Sequence, residues 1–416
     1  MQHTIDNKIS TASRVIWSTW LIVSVFYAYQ YILRVMPNVM MQDIMRQFNL
    51  DSTLFGQFSG IYYIGYALMH IPLGILLDRY GPKKIMPLCI IITVMGLLPI
   101  LFAEYWLYAI VGRCLIGIGS SGAILSAFAV IRRIFGADKF TRVLSFTVTI
   151  GLMGAIYGGG PMNYLCNAMG YKSVTIALAI FGILLCLVAY AITPNLQTQQ
   201  DVSVLRNVKD VFKSKMMWLI CLLAGLMVGP LEGFADVWGK QFLQNTYGLD
   251  GTVASSLSST IFLGMCFGAP VLSYIGAKIK DELLTITIAG ALMTFCFSVL
   301  LEGNLTPFSI SCMFAVVGIC CSYQILAIFK ASTYVPISAA GLTTAVANMI
   351  IMIFGYAFHA LIGFVINLTG GVQSPEAFIY GIAIIPVALL LGTIGFGVIY
   401  WRESMVRAVN NNQARI

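Results

Sequence analysis

Runs of apolar residues, each about the 20 residues that one crossing of a bilayer needs, recur along this chain almost from end to end. They fall at roughly 15–41, 52–77, 85–103, 106–131, 143–166 and 173–193. A second set falls at roughly 216–243, 252–276, 283–301, 306–329, 338–366 and 376–401. Inside lipid a backbone must satisfy its own polar groups, so runs of this length and number leave an all-α membrane bundle as the fold. Composition agrees: only 10% of the 416 residues are charged, against about 25% in soluble domains. Met1–Arg14 is polar and the first run is too long for the core of a signal peptide, so no cleaved leader is expected.

The polar stretch Pro194–Ser214 divides the runs six and six. The expected organisation is an N-terminal six-helix bundle over 1–193, a linker over 194–214 and a C-terminal six-helix bundle over 215–416. Of the 24 lysines and arginines, 19 lie on the segments that share a side with the two termini. Only Arg46, Lys172 and Lys240 fall on the other side, and Arg34 and Arg113 lie within spans. By the excess of basic residues in cytoplasmic loops, both termini are expected in the cytoplasm.

Several function classes drop out. The net charge of +8 is spread over many loops, which is no footprint for nucleic acid. Cys89, Cys114, Cys221, Cys266, Cys296, Cys312, Cys320 and Cys321 sit inside apolar runs without C-x-x-C spacing and read as packing residues. The three histidines make no metal pattern, and no phosphate-binding G-x-x-x-x-G-K-[ST] occurs. Neither catalytic residues, metal nor cofactor are expected, and the chain does not read as an enzyme.

Between the second and third runs lies Gly74-Ile-Leu-Leu-Asp78-Arg79-Tyr-Gly81-Pro-Lys83-Lys84. Its glycines permit a tight reversal and close helix approach, Asp78 can cap or pair, and Arg79, Lys83 and Lys84 suit a cytoplasmic lipid surface. The pattern G-x-x-x-D-R-x-G-x-K-K resembles the loop 2–3 signature of the major facilitator superfamily (MFS). The resemblance implies two pseudo-symmetric bundles, alternating access around a midplane site, and a gate latch at this loop.

Ionisable groups at membrane depth are functional candidates by cost alone. Arg34 shares a helix face with Tyr27 and Tyr31 at i, i+4, i+7 spacing, and a guanidinium beside phenols suits a carboxylate or phosphate. The alternative is an arginine that snorkels or is locked in an interhelix pair. Pro37 frees a carbonyl nearby. In the seventh run Glu232 and Asp236 are i, i+4 neighbours, and Lys240 continues the face as an interfacial lysine. The resemblance makes the first and seventh spans symmetry partners, placing these acids opposite Arg34. A cation facing anions suits a zwitterion, an amino acid or dipeptide; an Arg34–Asp236 outer gate is the equal alternative.

Arg113 opens R-x-x-x-G-x-G, ending at Gly119, similar to an MFS motif tied to coupling or substrate binding. MFS organic-anion symporters often carry acids where this chain has Leu33 and Ser120, which leaves Glu232 or Asp236 as candidate proton carriers. Gly151 to Gly160-Pro161 partly resembles an antiporter motif and reads as a bending and packing element. His70, in a stripe with Tyr62 and Tyr66, reads as a helix-bridging hydrogen-bonder. His359, Gln30, Tyr323 and Gln324 complete the candidate cavity contacts. Met36-Pro-Asn-Val39 resembles a segment of the lysosomal dipeptide-transporter branch and its bacterial relatives.

The expectation is a monomeric transporter of a small charged solute in a bacterial inner membrane. The alternatives are an organic-anion symporter or antiporter and, from another class, a non-transporting sensor or lipid-handling protein. Substrate, flux direction and coupling ion are not legible.

Overall fold

The computed structural model describes residues 2–196, 208–279, 281–336 and 340–413. Most of the polar linker expected at 194–214 lies outside the described residues; what is described of it ends in a short helix, Val208–Lys213. Among the described residues, 12 helices are long and apolar enough to cross a membrane. They are α1 (Arg14–Phe48), α2 (Ser52–Tyr80), α3 (Pro82–Phe102), α4 (Trp106–Gly136), α5 (Asp138–Gly158), α6 (Tyr171–Ile192), α7 (Lys215–Tyr247), α8 (Gly251–Gly276), α9 (Glu282–Leu300), α10 (Pro307–Ser332), α11 (Leu342–Leu368) and α12 (Pro375–Arg407).

Local chemistry sets the turns. Gly81 adopts φ 78° between α2 and α3, with Pro82 opening the next helix. Gly136, at φ 73°, separates α4 from α5. Asp51 caps α2, accepting from the Leu54 N–H at 2.8 Å. The fifth run, expected to be continuous to 166, ends at Gly158 and restarts as Gly160–Met169. Three successive glycines before Pro161 give the backbone the freedom to break there, and the ring cannot continue the ladder.

The first six helices pack mainly on one another, as do the last six, and the two sets meet along α1–α7, α2–α11 and α5–α8. α2 and α11 run antiparallel. A Cβ on Gly363 would strike the Ser52 carbonyl, and one on Gly56 the His359 carbonyl; Gly355 lies against the Tyr63 ring, and Asn348 reaches His70. Small residues let the backbones touch, which is how helices associate where burial from water gives no drive. Contacts through Gly159–Ser259, Gly160–Ser256 and Asn163–Thr252 join the fifth and eighth segments at the face away from the basic loops.

In the loop that resembles the latch, Gly81 makes the tight reversal and Asp78 pairs as expected, and the departure is at Gly74. A Cβ on Gly74 would meet nothing within 4 Å, so in this conformation Gly74 makes no close helix approach. Asp78 lies 3.5 Å from Arg133 at the end of α4. Arg79 lies over the Tyr80 ring and Lys83 over that of Tyr190. Lys84 is exposed.

Gly363→Val should therefore lower the midpoint of thermal unfolding in detergent, at a cost of about 1–3 kcal/mol for overpacking, whereas Gly74→Ala should leave it unchanged.

Candidate functional site

The site begins with two defects in helical hydrogen bonding. Pro37 in α1 has no N–H, so the carbonyl of Leu33, four residues back, loses its helical donor. Arg113 of α4 supplies one: its Nη1 donates to Leu33 O at 2.6 Å and its Nη2 to Arg34 O at 2.7 Å. The guanidinium lies 4.9 Å over the Tyr62 ring and is 1% exposed. Arg113 therefore grips the backbone that carries Arg34, which makes it a positioning residue.

The second defect is in α7. Four residues after Pro230 the helix widens into a π segment, Phe234–Trp238, in which the Gly239 N–H donates to Phe234 O, five residues back. The next rung of that kind would join the Lys240 N–H to Ala235 O. The Asn38 amide of α1 takes both ends of it, donating to Ala235 O at 3.4 Å and accepting from the Lys240 N–H at 3.3 Å. π segments inside α-helices concentrate at functional sites. This one carries Asp236.

Held between these clamps, Arg34 donates from Nε to Asp236 Oδ2 at 2.7 Å and pairs through Nη2 with Glu232 Oε2. Its guanidinium lies 5.1 Å from the Tyr31 ring and 5.2 Å from that of Tyr63, in cation–π contact with both. The Tyr63 hydroxyl stands between the two carboxylates, 2.7 Å from Glu232 Oε2 and also against Asp236 Oδ2, and donates to one at a time. Two guanidiniums and two carboxylates thus share one buried volume, formally neutral. Asp236 is fully buried, with Oδ1 unpartnered among the described residues, as is Arg113 Nε.

A cavity of about 340 Å³ lies between this cluster and the basic face. Arg34 and Glu232 form its floor, Tyr27, Tyr31 and Tyr66 its walls, and Phe128 and Ile328 stand nearer the basic face. Gln324 lines it as well. Other candidates from the sequence stand behind the wall. Gln30 accepts from the Tyr62 hydroxyl at 2.7 Å. The Tyr323 hydroxyl donates to Ala224 O at 2.7 Å. His359 is buried, its Nδ1 2.7 Å from Gly355 O and its ring 5.3 Å from that of Tyr63. Asp236 does not line the cavity and reaches the floor through Arg34 and Tyr63. Glu232 also borders a pocket of about 10 Å³ between α7, α8 and α10, room for about one water.

The opposite face is closed by hydrogen bonds between the two sets of helices. Lys240, expected at the membrane interface, instead donates from Nζ to Asn163 Oδ1 at 2.6 Å and to Val39 O at 3.4 Å. Asn163 in turn donates to Thr252 Oγ1 at 3.2 Å, and Asn367 of α11 to Asp51 Oδ2 at 3.3 Å. At the basic face the ion pairs Arg133–Asp78 and Lys330–Glu403–Arg407–Asp281 each join helices of one set.

Twelve spans in two sets, a charged floor shared by both sets, one face sealed and a cavity toward the other define a polytopic solute transporter. The Major Facilitator Superfamily profile matches residues 21–359, and the chain belongs to that family. It is 22% identical over 404 residues to the nitrite extrusion protein of Bacillus subtilis, covering 91% of this chain and 94% of that one. A stretch of 109 residues is 32% identical to protein spinster homolog 1 of Xenopus laevis, covering 25% of this chain and 20% of that protein. Among solved structures, a bacterial homolog of the human lysosomal transporter Spinster, inward-facing and occupied, superposes with TM-score 0.72 at 18% identity, covering 91% of this chain and 95% of that one. The nucleoside transporter NupG superposes at 0.74 with 15% identity, covering 91% and 99%.

The sequence reading did not single out Tyr63, Asn38 or Asn163. Asn38 carried a signal, a polar residue next to a proline at membrane depth. Tyr63 and Asn163 carried none that separates them from their neighbours.

Two outcomes follow. Arg113→Ala should destabilise the protein by about 2–3 kcal/mol, the worth of buried bonds from a charged donor. In a Pro37→Ala background, where the replacement restores a backbone N–H to Leu33 O, the loss should shrink, and a double-mutant thermal cycle reads the coupling. Lys240→Met should loosen the closed face. A maleimide added from that side should then label a cysteine at position 259 severalfold faster, with the native cysteines replaced.

Proposed function

We propose that this transporter carries a small zwitterion, an amino acid or short peptide, by alternating access, with Arg34 holding the carboxylate and Glu232 the amine. The observation that carries this reading is the Arg34–Glu232 pair at the cavity floor, one residue from each set of helices. A zwitterion entering the cavity exchanges one internal ion pair for two external ones of the same sign pattern. The floor stays neutral while one of the two arms by which Arg34 ties the halves together is released. A simple anion would satisfy Arg34 and leave Glu232 unpaired at membrane depth, at a cost of several kcal/mol.

The distribution of Lys and Arg supports a cytoplasmic basic face, so the cavity described here opens inward. Glu232 borders the cavity and Asp236 does not, which makes Glu232 the carboxylate that an incoming proton would meet first. Protonating it releases one arm of Arg34 while the other stays on Asp236. The site is complete within one chain, which supports a monomer. A bacterial inner membrane suits the curated bacterial relatives.

The test is a thermal-shift screen of the detergent-solubilised protein against amino acids, dipeptides, mono- and dicarboxylates, sugar phosphates and neutral sugars. A binder at a hundred times its Kd should stabilise the wild type by about 2.7 kcal/mol. The double variant Arg34→Gln/Glu232→Gln, which keeps the floor neutral, should lose the response to zwitterions. Neutral sugars that stabilise wild type and variant alike would sink the proposal. Anions that bind more tightly once Glu232→Gln is made would replace it with the organic-anion reading.

A further inference from the structure

Among the residues that line the cavity, Arg34 and Glu232 alone are charged. The other polar groups of its wall include Gln324, Thr344 and Asn348, which are neutral amides and a hydroxyl, and His70. Asn348 Nδ2 lies 3.5 Å from His70 Nε2; an amide nitrogen can only donate, so that ring nitrogen accepts and the imidazole is uncharged. Between the floor and the basic face much of the wall is apolar, and both sets of helices supply it. Tyr66 of α2 and Ile124 and Phe128 of α4 come from the first set, Met265 of α8, Ile328 of α10 and Met352 of α11 from the second. Methionine thioethers beside aromatic rings make a surface that adapts to apolar guests of different shape.

The floor fixes how far apart the two charges of a guest can be. Arg34 and Glu232 touch each other, so an ammonium and a carboxylate that meet both at once must be close neighbours. An α-amino acid carries both on one carbon. An extended dipeptide holds them about 3.5 Å further apart, and reaches both partners only when folded back on itself. The volume of about 340 Å³ is at the lower end of the range for small-molecule pockets, which suits one large amino acid. Whatever follows the α-carbon then lies against a wall with no charge to pair with. A side-chain carboxylate or ammonium there would be uncompensated at membrane depth. An apolar side chain is instead covered from both sets of helices.

We propose that the solute is a single α-amino acid with a large uncharged apolar or aromatic side chain, its head on Arg34 and Glu232 and its side chain against Ile124 and Ile328. This rests on the zwitterion reading above and narrows it.

Dissociation constants from the concentration dependence of the thermal shift test the inference. The probes are alanine, norleucine, phenylalanine, lysine, glutamate and leucyl-leucine, on the wild type, Ile124→Ser and Ile328→Ser. Norleucine lengthens alanine by three methylenes and lysine adds an ammonium to norleucine, so these pairs separate size from charge. In the wild type, norleucine and phenylalanine should bind roughly 10- to 100-fold more tightly than alanine, the effect of burying that much apolar surface. Lysine and glutamate should bind more weakly than alanine. Each serine variant should reduce the norleucine-to-alanine ratio severalfold. If alanine, lysine or glutamate binds as tightly as norleucine, or the ratio is unchanged in both serine variants, the side-chain inference is refuted; loss of all binding in Arg34→Gln/Glu232→Gln would leave the floor reading standing. If leucyl-leucine stabilises the wild type and no single amino acid does, the solute is a peptide, and again only this inference falls. If no zwitterion stabilises the wild type, the floor reading fails and this inference with it.

Discussion

The structure depends on charge balance in a volume without water. Arg34, Arg113, Glu232 and Asp236 are all buried, and at such depth a single uncompensated charge would cost more than most interactions in the fold supply. Four charges of zero net sum remove that penalty, but only while the helices that carry them stay in register. α1, α4 and α7 are consequently bound to one another through backbone carbonyls as well as side chains. Neutrality at the floor and closure at the face beyond it are the same requirement.

The means of keeping register is unusual in being built from irregularities. A proline removes one rung from α1, and Arg113 fills the gap from α4; a π segment opens one rung in α7, and Asn38 fills it from α1. In each case a helix that could not satisfy its own backbone is completed by its neighbour. A straight, self-sufficient helix would pack more simply but would have no reason to hold one rotational setting. The glycine contacts of α2 on α11 complement this, bringing backbones close without fixing a charge.

Much of this was readable in the sequence. The number of spans, their order, and the candidacy of Arg34, Glu232 and Asp236 all follow from the cost of lipid burial, which a single sequence displays directly. Pro37 was legible as the source of a free carbonyl. That Arg113 would take up that carbonyl was not, because the match of a donor on α4 to an acceptor on α1 exists only after packing. The i, i+4 spacing of Glu232 and Asp236 implied a regular helix face; the π segment changes the rotation after residue 234, so Lys240 turns inward to Asn163 and away from the interface. Nothing local to Phe234–Trp238 announces the extra residue in the turn. Tyr323 and His359 illustrate the converse: polar groups in a span whose hydroxyl and Nδ1 are met by carbonyls of helix backbone, and neither residue lines the cavity.

The seal opposite the cavity is made largely of a lysine on an amide oxygen and a carbonyl, with asparagine bridging to threonine. The acceptors of that lysine carry no formal charge, and the carboxylate in the seal, Asp51, accepts from the neutral amide of Asn367. Dissolved ions screen pairs of opposite charges far more than a short hydrogen bond to a neutral oxygen in a half-buried crevice. Closure on that side is thus buffered against the ionic strength of the medium it faces, and the threshold for opening there stays nearly the same in dilute and concentrated solution.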